Sequence, residues 1–137
     1  YGLVGSEMCI RDRIYNLANG RFINPRNPVK RICLSATSGD FQGFDLYGTS
    51  IYTIEGSPRK SFLLGYDRSR RYQPTKIRRY NYAARSKKTI TVRGAKTLSF
   101  REPEGIKVLA GGQIYMMYVS NTLTNQSCNI YRVKRKI

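Results

Sequence analysis

A chain of 137 residues with 25 Lys plus Arg against 8 Asp plus Glu carries +17 at neutral pH and has a pI near 10.3, a surplus that attracts polyanions. Apolar residues at 40% and aromatic residues at 12% are enough for one packed domain and argue against wholesale disorder, while no run nears the roughly 18 apolar residues needed to span a bilayer and no secretory leader is visible. The lack of histidine excludes His-based triads and dyads, and the scattered Cys9, Cys33 and Cys128 form no C-x-x-C pair, so neither a metal nor a cofactor is expected.

The chain opens on Leu3 to Asp12, which back-translates to CTC GTG GGC TCG GAG ATG TGT ATA AGA GAC, a string similar to a transposase-type sequencing adapter; Arg13 fits the codon begun by its last two bases. Residues 1–13 are therefore read as non-native translated adapter and set outside the fold. The natural sequence is expected to begin near Ile14, cut upstream at an arbitrary point. Glu7, Arg11, Asp12 and Arg13 cancel one another, so the other 124 residues still carry +17.

From Ile14 onward, short apolar or alternating runs are separated by turn residues every eight to fifteen positions, the pattern of consecutive antiparallel strands. Asn16 to Lys30, rich in Asn, Pro and Arg, reads as loop or outer-edge strand. Strands are then expected at Arg31 to Ser35, Gln42 to Tyr47, Ser50 to Glu55, Phe62 to Asp67, Lys76 to Tyr82, Thr89 to Val92, Gly105 to Leu109, Gln113 to Val119 and Asn129 to Lys134. Val, Ile, Tyr, Phe and Thr dominate them. Asn19-Gly20, Gly39-Asp40, Gly48-Thr49, Gly56-Ser57-Pro58 and Gly111-Gly112 stand between as hairpin connections. Cys33 and Cys128, beside Ile32, Leu34 and Ile130, suit ordinary strand positions better than a disulfide.

A repeat appears when Gln42-Gly43-Phe44-Asp45-Leu46 is laid over Glu104-Gly105-Ile106-Lys107-Val108, a separation of 62 residues from Gly43 to Gly105. Past the turn, Ile51-Tyr52 falls against Ile114-Tyr115. Small repeated antiparallel units with a Gly early in one strand suggest propeller blades, whose innermost strand is crowded near the axis. The expected fold is all-β: antiparallel sheets forming a partial β-propeller of about two blades. Residues 14–40 supply a loop and outer strand of a truncated blade, 41–101 a blade with basic outer strands, and 102–137 a second, C-terminal blade. Closure needs at least four blades of about 40 residues, so other blades of the same parent chain are expected partners.

Phe41-Gln42-Gly43-Phe44-Asp45-Leu46-Tyr47-Gly48, then Ser50-Ile51-Tyr52-Thr53-Ile54, then Glu102-Pro103-Glu104-Gly105-Ile106 with Gln113-Ile114-Tyr115 and Asn129-Ile130-Tyr131-Arg132-Val133, together resemble one family. It is the propeller domain shared by tailed-phage receptor-binding proteins and the teichoic-acid biosynthesis protein C group, with related phrases in helveticin-type bacteriocins and lactonase-like propellers. The resemblance covers about Arg31 to Lys134. It implies a five-bladed ring that engages the anionic glycopolymer of a bacterial surface, in a phage tail among other tail proteins or on the cell wall. This chain departs from the family in its shortness and basicity.

Between Asp67 and Glu102 lies no acidic residue but twelve of the 25 cations. Arg70, Arg71, Tyr72, Lys76, Arg78, Arg79, Tyr80, Tyr82, Lys87 and Lys88 are the candidate polyanion-binding set, with Lys76, Arg78, Tyr80 and Tyr82 expected on one strand face. Guanidinium groups grip phosphate in pairs and tyrosine rings lie against bases or sugars. Arg132, Lys134, Arg135 and Lys136 add to the same field. Gln42, Gly43, Glu102, Glu104 and Gly105 are read as an axial structural motif, its carboxylates accepting backbone or Arg hydrogen bonds. The resemblance to lactonase-like propellers implies the alternative, a divalent-cation site at Glu104 in a metal-dependent hydrolase, although hard cations want several oxygen ligands.

No G-x-S-x-G or phosphate-loop motif occurs, and no carboxylate pair is expected to straddle a scissile bond. The expected function is therefore non-catalytic binding of an anionic polymer such as teichoic acid. A nucleic-acid-binding β-domain is the alternative, equally basic and Tyr-rich but lacking an RRM aromatic motif or zinc knuckle. A membrane is not expected as a partner.

Overall fold

Ser50–Glu55 places Ile51, Tyr52, Thr53 and Ile54 in an unbroken row, the signature of a strand covered on both faces rather than one, and all six of its residues are buried. In the computed structural model the described residues are 9–14, 17–18, 21–22, 24, 26–27, 30–35, 41–57, 74–98, 100–121, 125–135 and 137. The chain divides into two compact units, Tyr1–Thr37 and Ser38–Ile137.

The first unit holds β1 (Cys9–Ile14), β2 (Leu17–Ala18), β3 (Arg21–Phe22) and β4 (Lys30–Ser35). β1 pairs antiparallel with β4 from Cys9 opposite Ser35 to Ile14 opposite Lys30, and β2 pairs with β3. Most of β1 comes from the residues set aside as adapter. Ladder hydrogen bonds join backbones and do not depend on which side chains the strand carries. Asn27 N–H bonds to both the side-chain and the backbone oxygen of Asn24 at 3.3 Å, closing the Asn-Pro-rich turn.

The second unit holds two antiparallel sheets built from sequential neighbours. β5 (Phe41–Tyr47), β6 (Ser50–Glu55), β7 (Thr75–Asn81) and β8 (Ser86–Val92) form a four-stranded sheet in that order. A three-stranded sheet follows, β9 (Glu102–Leu109), β10 (Gln113–Asn121) and β11 (Gln126–Arg132), with a single 3-10 turn at Ala110–Gly112. Among the described residues neither sheet closes on itself. The expected strand Phe62 to Asp67 lies outside the described residues.

Strand ends differ from expectation for local reasons. β7 stops at Asn81 because the Asn81 carboxamide oxygen accepts the N–H groups of Ala83 and Ala84 at 3.0 and 2.9 Å, an Asx turn, so Tyr82 lies in the turn. β9 begins at Glu102 and includes Pro103, which an edge strand tolerates because its missing N–H need not join a ladder. β11 starts three residues and ends two residues earlier than expected and is largely exposed. Cys128 is accordingly an exposed free thiol.

The repeat extends to strand register. Gly43, Phe44, Asp45 and Leu46 stand opposite Ile54, Thr53, Tyr52 and Ile51; Gly105, Ile106, Lys107 and Val108 stand opposite Met117, Met116, Tyr115 and Ile114. The offset is 62 on the first strand (43 to 105) and 63 on the second (54 to 117), the difference being one extra turn residue. Each hairpin also skips a residue at the same place: Gln42 between the Phe41–Glu55 and Gly43–Ile54 pairs, Glu104 between Pro103–Tyr118 and Gly105–Met117. Such bulges twist a strand and aim its residues.

The two sheets pack face to face. Tyr52, Ile54, Ile77 and Ile90 of the four-stranded sheet meet Val108, Ile114, Met116 and Tyr118 in one buried cluster. Ile54 and Ile77 are fully buried, each worth about 1.5–3 kcal/mol relative to exposure. At Gly43, with φ of 155°, a Cβ would lie 3.7 Å from the Glu104 oxygen and Gly105 Cα. The equivalent glycines of the two hairpins thus meet where β5 and β9 approach.

Candidate anion-binding cleft

The packed sheets diverge at their outer strands and leave a cleft of about 310 Å³. Alternation in β8 places Ile90 and Val92 on the side facing the second sheet; Met116, Tyr118, Tyr131 and Val133 answer from that sheet, giving an apolar and aromatic floor. At and beyond the strand ends the same cleft is lined by Arg132, the last residue of β11, and by Arg93, Lys134 and Arg135, all exposed. No acidic side chain is among the described residues that line it. Four cations around an aromatic floor can hold an anionic group at the rim and an apolar or sugar face below.

One wall is held by Arg101, which is 4% exposed. Its guanidinium donates to the Gly94 carbonyl at 3.0 Å, to Thr75 Oγ1 at 3.1 Å and to the Tyr118 hydroxyl at 2.9 Å, and lies 4.4 Å from the Tyr118 ring centroid. Tyr118 donates in turn to Thr75 Oγ1 at 3.0 Å and meets Tyr131 edge-on at 5.8 Å. Phe100 and Arg101 have φ of 65° and 46°, a left-handed pair costing about 1–3 kcal/mol per residue. The strain sits in the link between sheets, where the buried guanidinium fixes the loop of Gly94 and Ala95 that lines the cleft.

Of Lys76, Arg78, Tyr80 and Tyr82, expected on one strand face, the first three share it and Tyr82 leaves it. In β7, Lys76, Arg78 and Tyr80 share one side with Lys87 of β8, whose Nζ lies 5.9 Å from the Tyr80 ring centroid. Arg79 and Lys88 are opposite each other on the other side, because alternation sends neighbours to opposite faces. Arg79 donates to Ser50 Oγ at 3.0 Å and to the Ile137 carbonyl at 3.3 Å, and stands 6.0 Å from the Tyr52 centroid. Tyr82 is in the turn, its hydroxyl donating to the Gly48 carbonyl at 3.3 Å. The missing acid is supplied across the sheet: Glu55, 3% exposed, pairs with Arg78 Nε at 3.1 Å. Arg70, Arg71 and Tyr72 lie outside the described residues.

The axial motif is brought together. Gln42 Nε2 donates to the Gly56 carbonyl at 3.0 Å and to Glu102 Oε1 at 3.4 Å, and Gly43 faces Glu104 and Gly105. Asp45, expected only as part of the repeat, joins the sheets by accepting from the Val108 N–H at 2.6 Å and from Lys107 Nζ at 3.0 Å. Glu104 is exposed at its bulge. Among the described residues no three acids or cysteines gather as a metal would require. No helix among the described residues is long and apolar enough to cross a membrane.

In the sequence Arg93 belongs to the cationic run, and Arg132, Lys134 and Arg135 to a tail expected to add to the same field; the shared cleft is a feature of the fold. Arg93 directly follows β8, and Lys134 and Arg135 lie just past β11. Comparison of the chain with protein-family models, curated protein sequences and solved structures gives no match.

Proposed function

We propose that the chain is a partial β-propeller acting as a non-catalytic binding module for an anionic bacterial surface glycopolymer such as teichoic acid. The observation that carries this reading is a cleft lined by Tyr131 and by the cations Arg93, Arg132, Lys134 and Arg135, with no acid among its described lining residues. A polymer alternating phosphate with sugar or polyol offers negative charge to the rim and a C–H face to the ring. The resemblance of the Gln42-Gly43 and Glu104-Gly105 units to phage receptor-binding propellers supplies the biological setting, a tail tip or wall-associated protein.

Calorimetric titration with purified wall teichoic acid, run against single-stranded RNA at equal salt, tests the proposal. The teichoic acid binds more tightly, and its affinity falls with a log–log salt slope of about −2 to −3, at roughly 0.7 per neutralised phosphate. Arg132→Glu with Arg135→Glu abolishes binding, whereas Lys76→Glu with Lys87→Glu does not. Tighter RNA binding would favour a nucleic-acid module, and loss confined to the Lys76/Lys87 variant would move the site to the flat sheet face.

A further inference from the structure

Val133-Lys134-Arg135-Lys136-Ile137 is a run of three cations between two apolar residues, and the fold holds it by those two ends. Val133 and Ile137 are half-buried against the cluster shared by the two sheets, whereas Lys134 and Arg135 are exposed in a bend. β11 has ended at Arg132, yet the Val133 N–H still donates to the Ile114 carbonyl of β10 at 2.9 Å. The Val133 carbonyl accepts from the side chain of Gln113, whose Nε2 lies 3.1 Å away. At the far end the Ile137 carbonyl accepts from Arg79 of β7 at 3.3 Å. The segment thus ties the three-stranded sheet to the four-stranded one and carries Lys134 and Arg135 into the lining of the cleft.

We infer that Gln113 is a positioning residue for anion binding, acting through Lys134 and Arg135; this rests on the cleft being the polymer site. A carbonyl and the N–H that follows it share one rigid peptide plane. The Gln113 bond therefore fixes the plane from which Lys134 leaves, and with it the direction in which Lys134 and Arg135 depart from the sheet. Without that bond, this backbone and its two long side chains must be ordered when the anion binds, and the ordering costs affinity. Arg79 holds a carbonyl two residues past Arg135, so its loss leaves the Gln113 bond and the direction of Lys134 in place. Gln113 is neutral and twenty residues from Val133, and nothing in its own charge or sequence neighbours marks the role.

Calorimetric titration of the full chain and of Gln113→Met, with wall teichoic acid and separately with inorganic tripolyphosphate, tests the inference. Methionine keeps the length of glutamine but cannot donate to the carbonyl. The substitution should weaken binding about fivefold, within the range of one lost hydrogen bond, and make the log–log salt slope shallower by about 0.7 to 1.4, the share of one or two phosphates. In a Lys134→Ala/Arg135→Ala background, at low salt where the other contacts keep binding measurable, Gln113→Met should change affinity by less than about twofold, because the pair through which it acts is gone. An unchanged salt slope, or an effect of the same size in both backgrounds, overturns the inference. Thermal melts confirm that each variant is folded, and Gln113→Ala takes the place of Gln113→Met if the latter is not. Binding of tripolyphosphate without teichoic acid removes the glycopolymer reading alone, and the same cycle run with tripolyphosphate then decides the role of Gln113. Binding of neither anion overturns both.

Discussion

Tyr118 is 1% exposed, and its hydroxyl both receives the Arg101 guanidinium and donates to Thr75. A buried hydroxyl so placed contributes mainly through the loss incurred when it is removed, because its partners are left in a site that water does not reach. Tyr118→Phe keeps the ring and the contact with Tyr131 but withdraws a partner from both Arg101 and Thr75. Urea unfolding should show a loss of about 1–3 kcal/mol. Gly56 is constrained by space instead: a Cβ there would come 2.9 Å from Pro103 Cγ, where the four-stranded sheet meets β9.

The β7 strand divides its cations by alternation. Arg78 and Arg79 are adjacent in sequence, yet one pairs with Glu55 on one face while the other reaches Ser50 and the Ile137 carbonyl on the opposite face. Their roles should separate from those of the cleft cations. Arg79→Ala is expected to lower stability by about 1–2 kcal/mol through lost hydrogen bonds and to leave teichoic-acid affinity within about twofold. Arg132→Ala, on an exposed strand end, is expected to leave stability within about 0.5 kcal/mol and to weaken binding about tenfold, the worth of one charge-assisted contact. Chemical denaturation and calorimetry on the two variants check both halves.

Across the second unit, one hydrophobic cluster serves both sheets, and Asp45 ties β5 to the Val108 N–H of β9. Neither sheet buries its inner face without the other, so the two should unfold together. Ile77→Ala, at a site with no exposed surface, is expected to cost about 2–5 kcal/mol. The loss should appear as one cooperative transition with the same midpoint by tyrosine fluorescence and by circular dichroism. Two separate midpoints would show that the sheets are independent.

Strand identity was legible from residue order alone. The β-branched and aromatic runs and the Gly, Asn and Pro turns between them bring β4 to β11 close to their expected places, because hydrophobic period and turn chemistry are local properties of the chain. The Gln42-Gly43 and Glu104-Gly105 repeat was legible too, down to positions that share a register and a bulge. The cleft was not. Its lining comes from 90–95, from Met116 and Tyr118, and from 131–135, brought together only when the two sheets pack.

A linear charge count could not register that Glu55 would cross from β6 to neutralise Arg78, nor that an Asx turn would remove Tyr82 from the strand. By itself, then, the sequence determined an all-β, strongly basic chain with two equivalent hairpins. Which cations share a surface, which are matched by an acid and where an aromatic floor opens beneath them were decided by tertiary packing. Charge is additive along a chain, but a binding site depends on distances, and those are set by the sheet–sheet contact.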